Sequence, residues 1–238
     1  MTEVAIVDYG MGNLRSVYQA VRKVAPQAAV RVTDNAQVIA AAGRVIFPGQ
    51  GAMPDCMREM DARGLRQAVL DAARNKPFLG ICIGLQMLFE HSAEGEVPGL
   101  GVLPGRVARF AHDLRDAQGN KLKVPHMGWN QVRRGVNPQL PQGGETLALP
   151  TSGGKLEGGG THEHPLWSGI AQDARFYFVH SYYVQPADAS LVQASSDYPQ
   201  PFTCAVARDS LFAVQFHPEK SAAAGLQLLH NFIHWNPL

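Results

Sequence analysis

The sequence lacks an excess of either charge: 21 Lys and Arg against 20 Asp and Glu over 238 residues leave a formal net charge of +1. That balance offers no basic surface for nucleic acid and no like-charged solvating tail. Cysteine is scarce as well. The three present, Cys56, Cys82 and Cys204, are an odd and widely spaced set that suits neither a disulfide framework nor a CxxC metal knuckle, so a reducing cytoplasm is the expected setting. Met1, Thr2 and Glu3 lead directly into a strand-like apolar segment with no basic leader or cleavage site, and no apolar run is long enough for a membrane span. With 45% hydrophobic and 17% charged residues, the chain has the composition of an ordinary globular protein, long enough to bury a core as one large α/β domain or two small ones.

The first half alternates strand and helix patterns. EVAIVDYG is a nearly continuous apolar, β-branched run stopped at Gly10, as in a strand buried on both faces of a parallel sheet. Asn13 then stands ready to cap a helix in which Leu14, Val17, Val21 and Val24 share one face. RVIFPGQGAM ends a second strand at Pro48 before a helical stretch to about Arg74, and KPFLGI is a third strand feeding the helix GLQMLFEHS. This alternation predicts a doubly wound sheet whose strand ends, at Gly10, Gly49 and Cys82, converge on one site. The second half reads as antiparallel or mixed strands in ARFYFVHSYYVQP, FTCAVARDS and LFAVQFHPE, followed by a last helix. Between the halves, about 136–165, a Gly- and Pro-rich stretch without periodicity reads as a surface loop.

Cys82 sits at a strand-to-helix turn between two glycines, Gly80 and Gly84. A glycine-flanked cysteine also suits a small buried hydrophobe, but here the pattern is the cysteine counterpart of the GxSxG elbow, which exposes a nucleophile near helix N-terminal amides. A nucleophile needs a base, and VQFHPEKS supplies His217 at a strand end with Glu219 two residues on, able to orient the imidazole across Pro218. Cysteine, histidine and glutamate together are the triad logic of acyl transfer. Backbone amides of Gln50, in the glycine-rich turn Pro48 to Gly51, and of Ile83 are the candidate oxyanion donors.

GxCxGxQ over Gly80 to Gln86, with HPE over His217 to Glu219, resembles the class I, or triad, glutamine amidotransferases. The resemblance implies that Cys82 attacks the side-chain amide of glutamine, releasing ammonia and leaving a glutamyl thioester that water cleaves. DYGMGNLRSV, FPGQGAM, PHMGWN and FYFVHSYY further resemble the branch of that family that feeds ammonia to a (β/α)8-barrel cyclase making imidazole glycerol phosphate in histidine biosynthesis. That branch implies a flavodoxin-like fold with an added antiparallel or mixed strand region, one domain over 1–238, and a heterodimer with the cyclase subunit. It implies neither cofactor nor metal. By the same resemblance Gly49, Gly51, Gln86, Glu94, Ser181 and Tyr182 hold the glutamine, and Asn13, Met127, Trp129, Asn130 and Lys220 face the cyclase. Two features depart from the branch: Gln50 stands where many relatives have an apolar residue, and the 136–165 loop is longer than the family needs.

Other motifs carry less. The GxG of Gly10 and Gly12 lacks the third glycine of a dinucleotide site, since Arg15 stands there. SGGK fails as a phosphate loop because Leu149 and Leu156 occupy its required positions. His162 and His164 read as loop histidines without a metal set, and Cys56 and Cys204 as structural. The readings left open beside the branch are a glutaminase for another synthase, such as the anthranilate type, a stand-alone γ-glutamyl hydrolase and a non-catalytic regulatory subunit.

Overall fold

Strand β1 (Glu3–Val7) is buried at four of its five positions, and the chain then turns into α1 (Leu14–Val24). Asn13 caps that helix, its side-chain oxygen accepting from the Ser16 backbone N–H at 3.4 Å, while Val17, Ala20 and Val21 face the core. The computed structural model describes residues 3–135 and 163–237. Two elements follow that the sequence pattern did not signal, β2 (Ala29–Thr33) and α2 (Ala36–Ala41). Both have weak periods for a physical reason: β2 is an edge strand with no fully buried residue, and the six-residue α2 buries only Ile39.

β3 (Arg44–Gly49) is buried throughout. The helical stretch beyond it is two helices, α3 (Met53–Ala62) and α4 (Arg66–Asn75), broken where Gly64 adopts φ +66°. β4 (Phe78–Cys82) leads into α5 (Ile83–Gln86), which is one turn long rather than the nine residues expected. From Phe89 the chain becomes β5 (Phe89–Ser92), with Phe89 and Ser92 buried and Glu90 and His91 exposed. The apolar run suited either state locally, and pairing with a later strand decided for the sheet. β6 (Val97–Pro98) and β7 (Leu103–Arg109) complete this edge.

Next come β8 (His126–Gln131) and β9 (Arg133–Arg134). Residues 136–162, which hold most of the expected loop, its SGGK and His162, lie outside the described residues. Arg134, on the near side, pairs with Glu163 at 2.8 Å and donates to the Ile170 carbonyl at 2.9 Å. His164 corrects the expectation of a surface histidine. Its Nδ1 accepts from the Leu166 N–H at 3.2 Å and its ring packs on Phe212 and Trp235, and this burial lowers its pKa to about 4.

β10 (Arg175–His180), β11 (Tyr182–Pro186), β12 (Val192–Asp197), β13 (Pro201–Arg208) and β14 (Leu211–Val214) precede α6 (Ala222–His234). Across the main sheet the order is β2-β1-β3-β4-β14-β13-β11-β7-β5-β6, parallel from β2 to β14 and mainly antiparallel beyond. The chain winds outward from β1 to β2 and then returns to β3 on the other side, so right-handed crossovers put α1 and α2 on opposite faces. That reversal is a topological switch point, and the site lies beyond the strand ends beside it. β8 and β10 form a separate antiparallel ribbon.

One long-range contact ties the parallel half to the last helix. Arg44, at the start of β3, is only 6% exposed, and its Nη1 donates to the carbonyls of Phe232 at 2.6 Å and Trp235 at 3.0 Å at the C-terminus of α6. Arg44→Met should therefore cost about 2 to 3 kcal/mol, a fall in Tm of about 4 to 12 °C for a chain of this size. Calorimetry measures it, and a change below about 1 °C would show that these contacts add nothing to stability.

Candidate active site

Cys82 ends β4 with φ +56° and ψ −110°, a backbone conformation that costs a side-chain-bearing residue energy and holds it on a tight turn. The flanking glycines are required by clearance. A Cβ at Gly84 would lie 1.9 Å from the Phe47 carbonyl oxygen, and one at Gly80 would lie 3.0 Å from the Ala213 Cβ and 3.2 Å from the Gly84 carbonyl. The neighbouring strands thus press the elbow into shape from behind.

His217 follows β14, the strand paired beside β4, and so reaches the same strand ends. Its N–H donates to the Tyr177 carbonyl at 2.9 Å. Ser221 braces the turn: its Oγ donates to the His217 carbonyl at 2.6 Å and accepts from the Tyr177 N–H at 2.9 Å. The His217 Nδ1 lies 2.9 Å from Glu219 Oε1, with side-chain exposures of 4% and 1%. A carboxylate can only accept, so Nδ1 carries the proton and Nε2 is turned to other use. Among the described residues Nε2 makes no hydrogen bond of ordinary geometry, and it faces the Cys82 sulfur closely enough to interact with it. Burial by itself disfavours the imidazolium, but the Cys82 sulfur and then the Glu219 carboxylate favour it more strongly, pushing the pKa up to about 10.

A cavity of about 210 Å³ opens in front of this pair. Gln50, Gly51, Cys82, Ile83, Gln86 and Glu94 line one side, and Ser181, Tyr182 and His217 the other. Gly49 and Glu219 stand behind the wall. At Gly49 a Cβ would fall 2.0 Å from the Tyr9 hydroxyl and 3.1 Å from the Ile83 Cβ, so the strand end can pass only as glycine. Gly51 adopts φ +117°, and the Cys56 thiol donates to the Gln50 carbonyl at 3.8 Å, so this cysteine touches the Gly49–Gly51 turn.

Glu94 accepts from the Met53 N–H at 2.8 Å, capping α3, whose own N-cap residue Ala52 has no side chain for the task. Burial raises its pKa. Gln86 is not solvent-facing: it is 2% exposed, and its Nε2 donates to the Tyr182 carbonyl at 3.1 Å and to Gln215 Oε1 at 3.0 Å. Gln215 donates onward to the Cys82 sulfur at 3.7 Å. The sequence reading missed Gln215, although it lies two residues before His217 on the face that β14 turns to the elbow; alternation along VQFHPE was the available signal. Pro125, Val179 and His180 also line the cavity unforeseen.

Met127 (62% exposed) and Trp129 (45%) project from the same face of β8. Trp129 packs edge-on to Tyr177 of β10, and the Lys220 Nζ lies 6.0 Å from the centre of that ring. Asn130 is set apart from this patch. It points to the opposite face of the strand, where its Nδ2 donates to the Asp197 carbonyl at 2.7 Å. Asn13 is half-buried and committed to its helix cap.

The family model described as glutamine amidotransferase class-I matches residues 5–235. Among curated relatives, the imidazole glycerol phosphate synthase subunit HisH of Nitrosospira multiformis is 59% identical, with both chains covered in full. The protein of the same name from Thiobacillus denitrificans is 58% identical over 99% of this chain and 92% of its own. A solved glutamine amidotransferase superposes with a TM-score of 0.65 at 14% identity, covering 97% of each chain, which speaks to the fold.

The raised pKa of His217 has a consequence for stability. The unfolded histidine titrates near 6.5, so the protonated imidazole's contribution is full below that pH and is lost as pH rises toward about 10. Glu219→Gln removes one raising influence and should shrink the loss, so that the Tm gap between native chain and variant narrows from pH 7 to 10. Thermal denaturation across that range measures it, and a constant gap would remove Glu219 as a partner of the imidazolium.

Proposed function

The chain belongs to the class-I glutamine amidotransferases, and from that premise we propose that it is the glutaminase subunit of an imidazole glycerol phosphate synthase. One observation carries the chemistry: a strained cysteine and a histidine from two adjacent strand ends face one cavity, with a buried glutamate holding the histidine from behind.

In this reading Cys82 attacks the side-chain amide carbon of glutamine as a thiolate, with His217 holding the proton and Glu219 stabilising the imidazolium. The Gln50 and Ile83 N–H groups receive the oxyanion, each of weight comparable to a donor worth about 3 kcal/mol. The carbon–nitrogen bond then breaks, His217 gives its proton to the departing ammonia, and a glutamyl thioester remains on Cys82. Water attacks the thioester with His217 now accepting a proton, and glutamate leaves with the thiol restored. Glu94 holds the substrate's amino group, while Gly49, Gly51, Gln86, Ser181 and Tyr182 shape the pocket around its chain.

The partner is a (β/α)8-barrel cyclase that receives the ammonia and forms imidazole glycerol phosphate. It covers the patch of Met127, Trp129 and Lys220, with Asn13 at its margin and Asn130 supporting it from behind. Pro125 and Val179 belong both to that ribbon region and to the cavity wall, so a partner seated there reaches the glutamine pocket. Docking shifts the Gly49 to Gly51 turn toward the orientation that offers the Gln50 N–H to the oxyanion. Three free, buried cysteines agree with a reducing cytoplasm, and no described helix is long and apolar enough to cross a membrane.

Glutamate release by the purified chain should be weak alone, rise at least about tenfold with a cyclase-type partner and its nucleotide ligand, and vanish in Cys82→Ala. High activity alone would favour a stand-alone hydrolase, and silence in every mixture would overturn the reading. Trp129→Ala should weaken the partner's Kd by about thirtyfold, as for an interface hot spot, with the residual activity of the isolated chain unchanged. Titration calorimetry against the cyclase checks it, and an unaltered Kd would move the interface elsewhere.

A further inference from the structure

The donor on the Cys82 sulfur is the last link of a longer chain of hydrogen bonds. Gln215 Nε2 donates to that sulfur, while its Oε1 accepts from Gln86, whose amide also donates to the Tyr182 carbonyl at 3.1 Å. The same carbonyl lies 2.8 Å from His180 Nδ1, and His180 Nε2 lies 3.1 Å from His126 Nδ1. His126 Nε2 in turn lies 3.3 Å from the Asn130 Nδ2. The series starts on β8, on the face of the strand opposite Met127 and Trp129, and ends on the nucleophile.

Its polarity is set by chemistry. A carbonyl can only accept, so His180 Nδ1 carries its proton and His180 Nε2 must accept. His126 Nδ1 is then the donor, and His126 Nε2 accepts from the Asn130 amide. Every link is therefore satisfied by one tautomer of each ring. Burial depresses both histidines, to about 4 for His126 and about 3 for His180, with His126 and His217 adding to the effect at His180. Both rings stay neutral at physiological pH, which the relay requires.

We propose that Gln215 is the direct hydrogen-bond donor that holds and stabilises the Cys82 thiolate, and that Gln86, His180, His126 and Asn130 are positioning residues that fix its orientation from strand β8. The proposal rests on Cys82 being the nucleophile. It assigns a role to both histidines of the PHMGWN and FVHSYY segments, and it gives the partner-facing strand a physical connection to the thiol. Gln215 can turn its amide only if Gln86 lets go of its oxygen, and Gln86 is held by a carbonyl that His180 also holds. A one-sided pull on β8 thus reaches the sulfur as a change in donor geometry.

The test is the pH dependence of Cys82 alkylation by iodoacetamide in the isolated chain, with the modified residue located by mass spectrometry to exclude Cys56 and Cys204. The titratable groups facing the thiol are His217, backed by Glu219, together with Tyr9 and Cys56, so the midpoint belongs to the coupled set. Gln215→Met removes the donor and should raise the midpoint by about one pH unit, the size expected of a hydrogen bond to a charged group. His126→Leu should raise it in the same direction, and His126→Asn, whose amide can replace Nδ1–H toward His180, should restore it. A purely structural role would make the two His126 variants alike. Asn130→Asp, nearly isosteric and half-buried, is the second probe should His126→Leu not fold. Its carboxylate demands a proton on His126 Nε2, reverses the relay and should also raise the midpoint.

An unchanged midpoint in Gln215→Met overturns the donor assignment. A shift there with no difference between His126→Leu and His126→Asn, or none in Asn130→Asp, overturns the relay beyond Gln86. No alkylation of Cys82 in the native chain at any pH overturns the nucleophile itself, and with it the proposed function.

Discussion

Everything at the site depends on one strained residue. Cys82 is held at φ +56° where β4 stops, and it stays there because the strands behind it leave no other course. Gly84 lets the Phe47 carbonyl come so close that any side chain would push it away, and Gly80 leaves only a tight gap to Ala213. The strain is thus held by the packing of β3 and β14 against β4, which also delivers the Gly49–Gly51 turn from one side and His217 from the other. A sheet that brings these three strand ends together places Cys82, His217 and the Gln50 turn around one cavity in a single act of folding.

A second constraint is the burial of charge. His217 and Glu219 are almost wholly withdrawn from water, and an isolated charge there would be costly. Their mutual hydrogen bond and the nearby sulfur offset that cost and keep the imidazole protonated well above its usual range. Ser221 and Tyr177 fix the backbone around the pair, so its geometry does not rely on the side chains alone. Tyr177 also packs against exposed Trp129, which joins the back of the His217 turn to the outer surface.

Strand β8 is the other organising element, because its two faces have different tasks. Met127 and Trp129 look outward, while His126 and Asn130 look inward to neutral, hydrogen-bonded positions. Strand alternation makes that division automatic, and it places an exposed apolar surface one backbone thickness from a polar network.

Local signals sufficed for much of this molecule. The GxCxG elbow, the HPE turn, the α1 cap at Asn13 and the fully apolar β3 and β4 are all properties of short segments, and the resemblance carried by those motifs named the family. Local signals failed where pairing decided the outcome. β2 and α2 bury too little to show a period, and Phe89 to Ser92 joined a strand because β7 lay beside them, although the same apolar run suited a helix. The network through Gln86, Gln215, His180 and His126 joins residues up to 129 positions apart, so no reading along the chain could have assembled it. Residue types and spacing determined which chemistry was available to this protein. Only the tertiary structure decided which side chains meet, because strand order and register, not sequence distance, set their separations.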